Sequence, residues 1–211
     1  MPANQDFGFI IDNEIVTKVF QAPKGSYTSI HDVPKDHNPF DRTENVSIKS
    51  VSDKGTPCMG SALRIWDYDT SEKHTAIIVS YVQRGGSKVV TRVVEFGLDD
   101  KVALFGTLAR EDIARLDALI RSVPSGKMTR EMHSQVHNLK KELNAKSGLV
   151  KFNPKIDSNT QRRLQCSLPK VSSLVTAAPK LIRSDVSEAI VRGVPILASA
   201  ESGTRVRNAR V

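Results

Sequence analysis

Apolar positions follow two different rhythms along this chain. Between Val46 and Phe105 they come in short runs bounded by polar and turn-forming residues. Val46, Ile48 and Val51 form the first run, and Ala62, Leu63, Ile65 and Trp66 the second. Ala76-Ile77-Ile78-Val79 with Tyr81-Val82 form the third, Val89-Val90, Val93-Val94 and Phe96 the fourth, and Val102-Ala103-Leu104-Phe105 the fifth. Runs of this length, rich in β-branched residues, predict strands. Gln83-Arg84-Gly85-Gly86-Ser87 places two glycines between the third and fourth runs, which predicts a hairpin turn with positive φ. Upstream, Phe9-Ile10-Ile11 and Ile15-Val16 flank the polar Asp12-Asn13-Glu14 and read as a second short hairpin. Residues 22–44 hold Pro23, Pro34 and Pro39 and read as a long surface loop.

After Phe105 the period becomes helical. Ile113, Leu116 and Ile120 share a face, and Glu111/Arg115 and Asp117/Arg121 are acid-before-base pairs four apart on the expected exposed side. Ser122-Val123-Pro124-Ser125-Gly126 breaks that helix. A second helix is expected from Thr129 as N-cap, with Glu131 in the first turn, an apolar stripe of Met132, Val136, Leu139 and Leu143, and Gly148 as its stop. Residues 149–211 are interrupted by Pro154, Pro169, Pro179 and Pro195. There the pattern suggests a short helix from Ser184 to about Val191, a strand at Ile196-Leu197 and a frayed basic tail bearing Arg205, Arg207 and Arg210. The fold class expected is α+β: an antiparallel sheet or sandwich body over 1–106, a helical hairpin over 107–148, and a less regular basic region over 149–211.

Composition narrows the function classes. Hydrophobic residues are 39% and charged residues 26%, as in globular chains. Aromatics are 5%, which argues against a many-ringed base-stacking platform. No apolar stretch reaches the roughly 18 residues that would suggest a membrane span. The start lacks the basic-then-apolar pattern of a signal peptide, and Pro2 stands where myristoylation needs glycine. The expected location is the cytoplasm or nucleus of a host cell, or a virion, and not a secreted one. Cys58 and Cys166 read as ordinary thiols.

Charge changes the picture most. The chain carries +8 in total, but residues 1–100 hold 11 Lys/Arg against 14 Asp/Glu, whereas residues 101–211 hold 20 against 9. The basic segment from Lys127 to Arg163 contains Arg130, Lys140, Lys141, Lys146, Lys151, Lys155, Arg162 and Arg163. On the second helix His133, His137, Lys140 and Lys141 fall at i, i+4, i+7 and i+8, a polar ridge able to lay cations along a phosphate backbone. His133 and His137 have the spacing of a metal helix, but Ser134 stands where the zincin pattern needs glutamate. Asp67-Tyr68-Asp69 has the form of a carboxylate metal motif, with Asp99-Asp100 a second acidic pair; both lie at expected strand ends, where Asp favours turns.

A strand-rich body, no catalytic signature and a basic flank together resemble small viral matrix, coat or movement proteins. Gly60 to Asp67 is similar to the central strand of plant-virus movement proteins, whereas the basic N-terminal arm of jelly-roll coats is replaced by an acidic start. No functional residue follows from that resemblance. The expected function is a non-enzymatic, self-associating scaffold that needs no cofactor and binds RNA or another polyanion through its basic half. Two alternatives stand beside it: a peripheral protein that meets anionic lipid, and a metal enzyme using Asp67 and Asp69.

Overall fold

The computed structural model describes residues 3–23, 29–123, 129–156 and 162–201. In chain order its elements are α1 (Ala3–Glu14), β1 (Glu44–Ser52), β2 (Cys58–Ser61), α2 (Ala62–Trp66), β3 (Lys73–Arg84), β4 (Ser87–Gly97), α3 (Lys101–Phe105), α4 (Arg110–Ser122) and α5 (Arg130–Lys146). There follow β5 (Lys151–Lys155), β6 (Arg163–Ser167), α6 (Val171–Ala177), β7 (Ile182–Val186), β8 (Ile190–Val191), β9 (Val194–Pro195) and β10 (Ser199–Glu201). The class is α+β, as expected.

Two compact units share these elements, and neither is a continuous stretch. The first is drawn from within 1–55, 72–97 and 180–211, the second from within 56–71 and 98–179. The three consecutive segments read from the sequence therefore do not coincide with the units.

The first unit is a five-stranded sheet. β3 and β4 form the hairpin expected at Gly85-Gly86, with Gly85 at φ 56°. β1 pairs with β3 in parallel, a departure from an all-antiparallel body. β7 and β10 both pair with β4, β7 along Val93–Phe96 and β10 along Ser87–Val89. Residues 10 and 11 sit in α1, not in a strand. Phe7, Ile11 and Ile15 recur every four residues and are wholly buried, whereas Phe9 and Ile10 are 36% and 38% exposed. β-branched residues favour strands only weakly; here one buried helical face outweighs that preference. The helix continues as a π-turn, Ile15–Val19, closed by the Phe20 N–H on the Ile15 carbonyl (3.1 Å). That wider turn keeps Ile15, Val16, Val19 and Phe20 all in the core with Val46, Ile48, Ile77 and Val79. The supposed surface loop 22–44 is anchored: Val33 and Asn38 are fully buried, and Val33 bridges to Val46.

Two further expectations fail in the C-terminal region. Ile182–Val186 is a strand with alternating burial, where a helix from Ser184 was expected. Cross-strand pairing with β4 decides this, a long-range contact that local capping signals do not encode. β8 and β9 flank Arg192-Gly193, both at positive φ (49° and 80°), a two-residue hairpin turn; Ile196-Leu197 lies past β9. The proposed tail, 202–211, falls outside the described residues.

The second unit is a three-stranded antiparallel sheet, β2-β6-β5, against α2, α4 and α5. Its sheet and α6 occupy ground expected to be irregular. Two runs taken for strands are short helices. Ser61 caps α2 by accepting from the Arg64 N–H (3.4 Å), and Asp100 caps α3 by accepting from Ala103 (2.8 Å). The strand once matched to Gly60–Asp67 therefore ends at Ser61. In α3 Leu104 and Phe105 are buried while Val102 is 76% exposed. α4 and α5 form the expected helical pair, with the Thr129 hydroxyl accepting from the Met132 N–H (3.2 Å). They pack on each other, and on β6 and β5 respectively. Asp117, expected on the outside, is buried; its carboxylate accepts from the Leu164 N–H (2.8 Å) and pairs with Arg121 (2.6 Å).

The ends of α3 and α5 meet backbone to backbone. Leu149 and Val150 donate to the carbonyls of Ala103 and Leu104 (3.0 and 2.9 Å), and Thr107 donates to that of Lys146 (3.3 Å). These bonds satisfy carbonyls that helix C-termini leave open. Gly106 (φ 64°) and Gly148 sit at the crossing. α5 ends at Lys146, just before the expected stop at Gly148, and that glycine also permits the close approach.

Candidate polyanion interface

Folding redistributes the charge that the sequence gathers at one end. Arg183 pairs with Glu44 (3.1 Å), Arg192 with Glu44 (2.7 Å) and Glu95 (3.1 Å), and Asp185 with Arg92 (2.5 Å). C-terminal arginines are thus neutralised by acids of the N-terminal half. Glu44 and Glu95 are 4% and 6% exposed, and Thr75 and Asn38 also donate to Glu44. The Arg192 guanidinium lies 5.1 and 5.2 Å from the Phe20 and Phe40 ring centres. Two acids against two arginines make this cluster self-compensating. It leaves little field for a ligand. The segments 56–71 and 98–179 of the second unit carry 15 Lys/Arg against 10 Asp/Glu, a smaller excess than the sequence halves suggested.

Within that unit the eight basic candidates divide. Lys146 pairs with Glu142 (2.9 Å), and Glu142 also meets Arg115 (3.3 Å), so Arg115 looks across to α5 and not back to Glu111. These pairs hold the Glu142 carboxyl below its ordinary value, Lys146 chiefly. The Lys151 ammonium donates to the carbonyls of Asn144 and Gly148 (3.3 and 3.2 Å), near the end of α5. Arg163 lies against Gln165, whose amide oxygen, turned toward it, accepts at 3.1 and 2.9 Å. Lys127 and Asp157 fall outside the described residues.

Arg130, Lys140, Lys141, Lys155 and Arg162 show no acidic partner among the described residues. Their placement is not scattered. Arg130, His133, His137, Lys140 and Lys141 occupy one stripe of α5, at i, i+3, i+7, i+10 and i+11. Lys155 is cross-strand partner to Arg163, and Arg162 immediately precedes it. A cleft of about 160 Å³ lies between α5 and the end of β5, lined by His133, Val136, His137 and Lys140 and by Pro154 and Ile156; Lys155 and Arg162 are not in its lining. The two imidazoles lie nearly parallel (9°) with centres 6.4 Å apart, too far for ring contact. The sequence identified the stripe; the strand end that completes it was hidden in a segment read as irregular.

Several acids of this unit are engaged elsewhere. Asp112 accepts from the Ala109 N–H at the start of α4 (2.9 Å), Asp117 is buried and Glu142 is paired. Asp67 forms a two-pronged pair with Arg110 (2.7 and 2.9 Å), which holds its carboxyl below the ordinary value, and Asp69 accepts from Ser71 in a turn. Asp67 and Asp69 are thus occupied structurally, and among the described residues no group of three or more His, Cys, Asp or Glu comes together to hold a metal. Trp66, expected in the core, is half-buried: its ring meets Phe105 edge-on at 4.9 Å, and the Lys101 ammonium lies 5.7 Å from its centre.

Cys58 is exposed and Cys166 buried. Burial pushes the Cys166 thiol far above its ordinary range, with the Cys58 sulfur adding to the rise. A thiolate-selective reagent should modify Cys58 in the native protein and reach Cys166 only in denaturant; mass spectrometry of the labelled peptides reads this directly. Early labelling of Cys166 would contradict the packing of β6.

Comparison with known proteins gives no match: no family model, no curated sequence and no solved structure aligns with the chain. No helix among the described residues is long and apolar enough to cross a membrane.

Proposed function

We propose that this protein is a scaffold that holds RNA, through its phosphate backbone, on the surface formed by α5 and the adjoining end of β5 and β6. One observation carries the reading: Arg130, Lys140, Lys141, Lys155 and Arg162 lack acidic partners among the described residues, while Lys146, Arg115, Arg121 and Arg110 in the same unit are all paired. A side chain already held by a carboxylate contributes little counterion release; one facing solvent contributes fully. Few rings interleave with these cations, so contact is with phosphates, and sequence preference is weak.

The test is fluorescence anisotropy with single-stranded RNAs of unrelated sequence over a salt series. Lys140→Gln with Lys141→Gln is expected to weaken every RNA by a similar factor and to reduce the slope of log K against log salt by about 1.4, the share of two phosphate contacts on a single strand. Lys146→Gln with Lys151→Gln, whose cations are engaged, should leave the slope in place. Unchanged binding in the first variant would remove the surface from consideration. Flotation with phosphatidylserine vesicles at matched salt separates an anionic lipid surface from RNA as the partner.

A further inference from the structure

We infer that the cleft beside α5 is a proton-coupled phosphate site, in which His133 and His137 bind one phosphate group cooperatively with their own protonation. The inference deepens the RNA reading and rests on it for its macromolecular ligand. The lining residues supply the argument. Three of the six, His133, His137 and Lys140, can carry positive charge, and the others, Val136, Pro154 and Ile156, are apolar. Among the described residues no carboxylate lines the cleft. The charged groups near it are Lys140, Lys141, Arg130 and Glu131 on α5 and Lys155 on β5; α4, packed on α5, carries the Asp117–Arg121 pair toward its C-terminal end.

Such a lining makes protonation and anion binding interdependent. A phosphate seated among two imidazoles and an ammonium favours their protonated forms. By linkage, phosphate then raises proton affinity, and protons raise phosphate affinity by the same factor. Imidazole is the side chain that ordinarily changes charge between about pH 5 and 8. The near-parallel rings, 6.4 Å between centres, carry their nitrogens at the ring edges, so an anion is met at the edges and not between the faces. A transition metal is the competing occupant for two histidines one turn apart, but Lys140 in the lining opposes a cation, and among the described residues no third histidine, cysteine or carboxylate joins them.

Two measurements on the full-length protein test this. In the first, imidazole resonances are followed by NMR at about pH 6 while inorganic phosphate is added. His133 and His137 are expected to shift together and saturate. His31, His37 and His74, all in the first unit, serve as internal controls, and His37 is exposed as the two cleft histidines are. Shifts no larger than that of His37 would overturn the site, as would saturation by Zn²⁺ with no response to phosphate.

In the second, RNA affinity is compared at about pH 5.8 and 7.8 for the wild type and for His133→Gln with His137→Gln. Both side chains are exposed, so the variant should fold. The wild type is expected to bind more tightly at the lower pH by about fivefold per imidazole in contact, the size of a Coulomb contact at about 4 Å in water; the variant should be nearly flat. RNA binding whose pH dependence survives in the variant sinks the inference and leaves the proposed function standing. Phosphate-responsive imidazoles with no RNA binding at either pH do the reverse.

Discussion

Replacing Glu44 by alanine is expected to cost about 3–5 kcal/mol of folding stability, as removal of one partner from a buried ion cluster does. Urea denaturation should register this as a lower midpoint with little change in slope. Its carboxylate is 4% exposed and is approached by Arg183, Arg192, Thr75 and Asn38. Deleting it removes a carboxylate partner from both guanidinium groups and leaves Arg192, 14% exposed in its side chain, with Glu95. Glu44→Gln retains the shape and part of the hydrogen bonding but not the charge, so it should fall between alanine and wild type. Burial by itself would raise the Glu44 carboxyl; hydrogen bonds from Thr75 and Arg192 outweigh it and leave the group below its ordinary value. The contribution is therefore complete above the unfolded-state value and declines as pH falls through the lower folded-state one. Acid titration of stability should be steeper in the wild type than in Glu44→Gln. Equal stability of the alanine variant and the wild type would mean that the cluster does not hold the strand segments together.

The second large effect is expected at the crossing of α3 and α5. A methyl group on Gly148 would lie 2.2 Å from the Ala103 carbonyl oxygen, and one on Gly106 would lie 2.3 Å from that of Lys146. Both obstacles are backbone, which cannot rotate away as a side chain can. Gly148→Ala should cost about 1–3 kcal/mol or more as overpacking. Gly106→Ala should cost roughly 1–2 kcal/mol beyond that, because φ 64° with ψ −124° is a conformation that L side chains avoid. Trp66 is the chain's only tryptophan and packs on Phe105 beside Gly106, so its fluorescence reports this unit. Gly86→Ala, where an added methyl group meets open space, is the control and should be nearly neutral. Wild-type-like fluorescence transitions in both the Gly106 and the Gly148 variant would refute the close approach.

Where local signals and long-range contacts agreed, the sequence was readable. The β3–β4 hairpin shows β-branched runs and a Gly-Gly turn, and α5 shows a threonine cap and an apolar stripe; both are present. α1 was not readable because Phe9, Ile10 and Ile11 look strand-like locally, and only burial of Phe7, Ile11 and Ile15 on one face selects the helix. α2 and α3 carried their signals in Ser61 and Asp100, caps that apolar runs overshadowed. For the candidate interface, the stripe on α5 was legible and its completion was not. Which cations are spoken for depends on partners such as Glu142 for Arg115, 27 positions away, and Glu44 for Arg183, 139 away. No local pattern encodes those pairings.

The interleaving of the two units also governs how this protein can be made and cut. A fragment that begins at residue 98 lacks β2, the strand that flanks β6, and α2 with it. One that stops at residue 97 lacks β7 and β10, so the far side of β4 stays open. Dissecting the polypeptide into an acidic piece and a basic piece would thus yield two broken modules and not two working ones. On the ribosome, the sheet of the first unit closes only after residues 182–201 have emerged, when most of the second unit has already been synthesised.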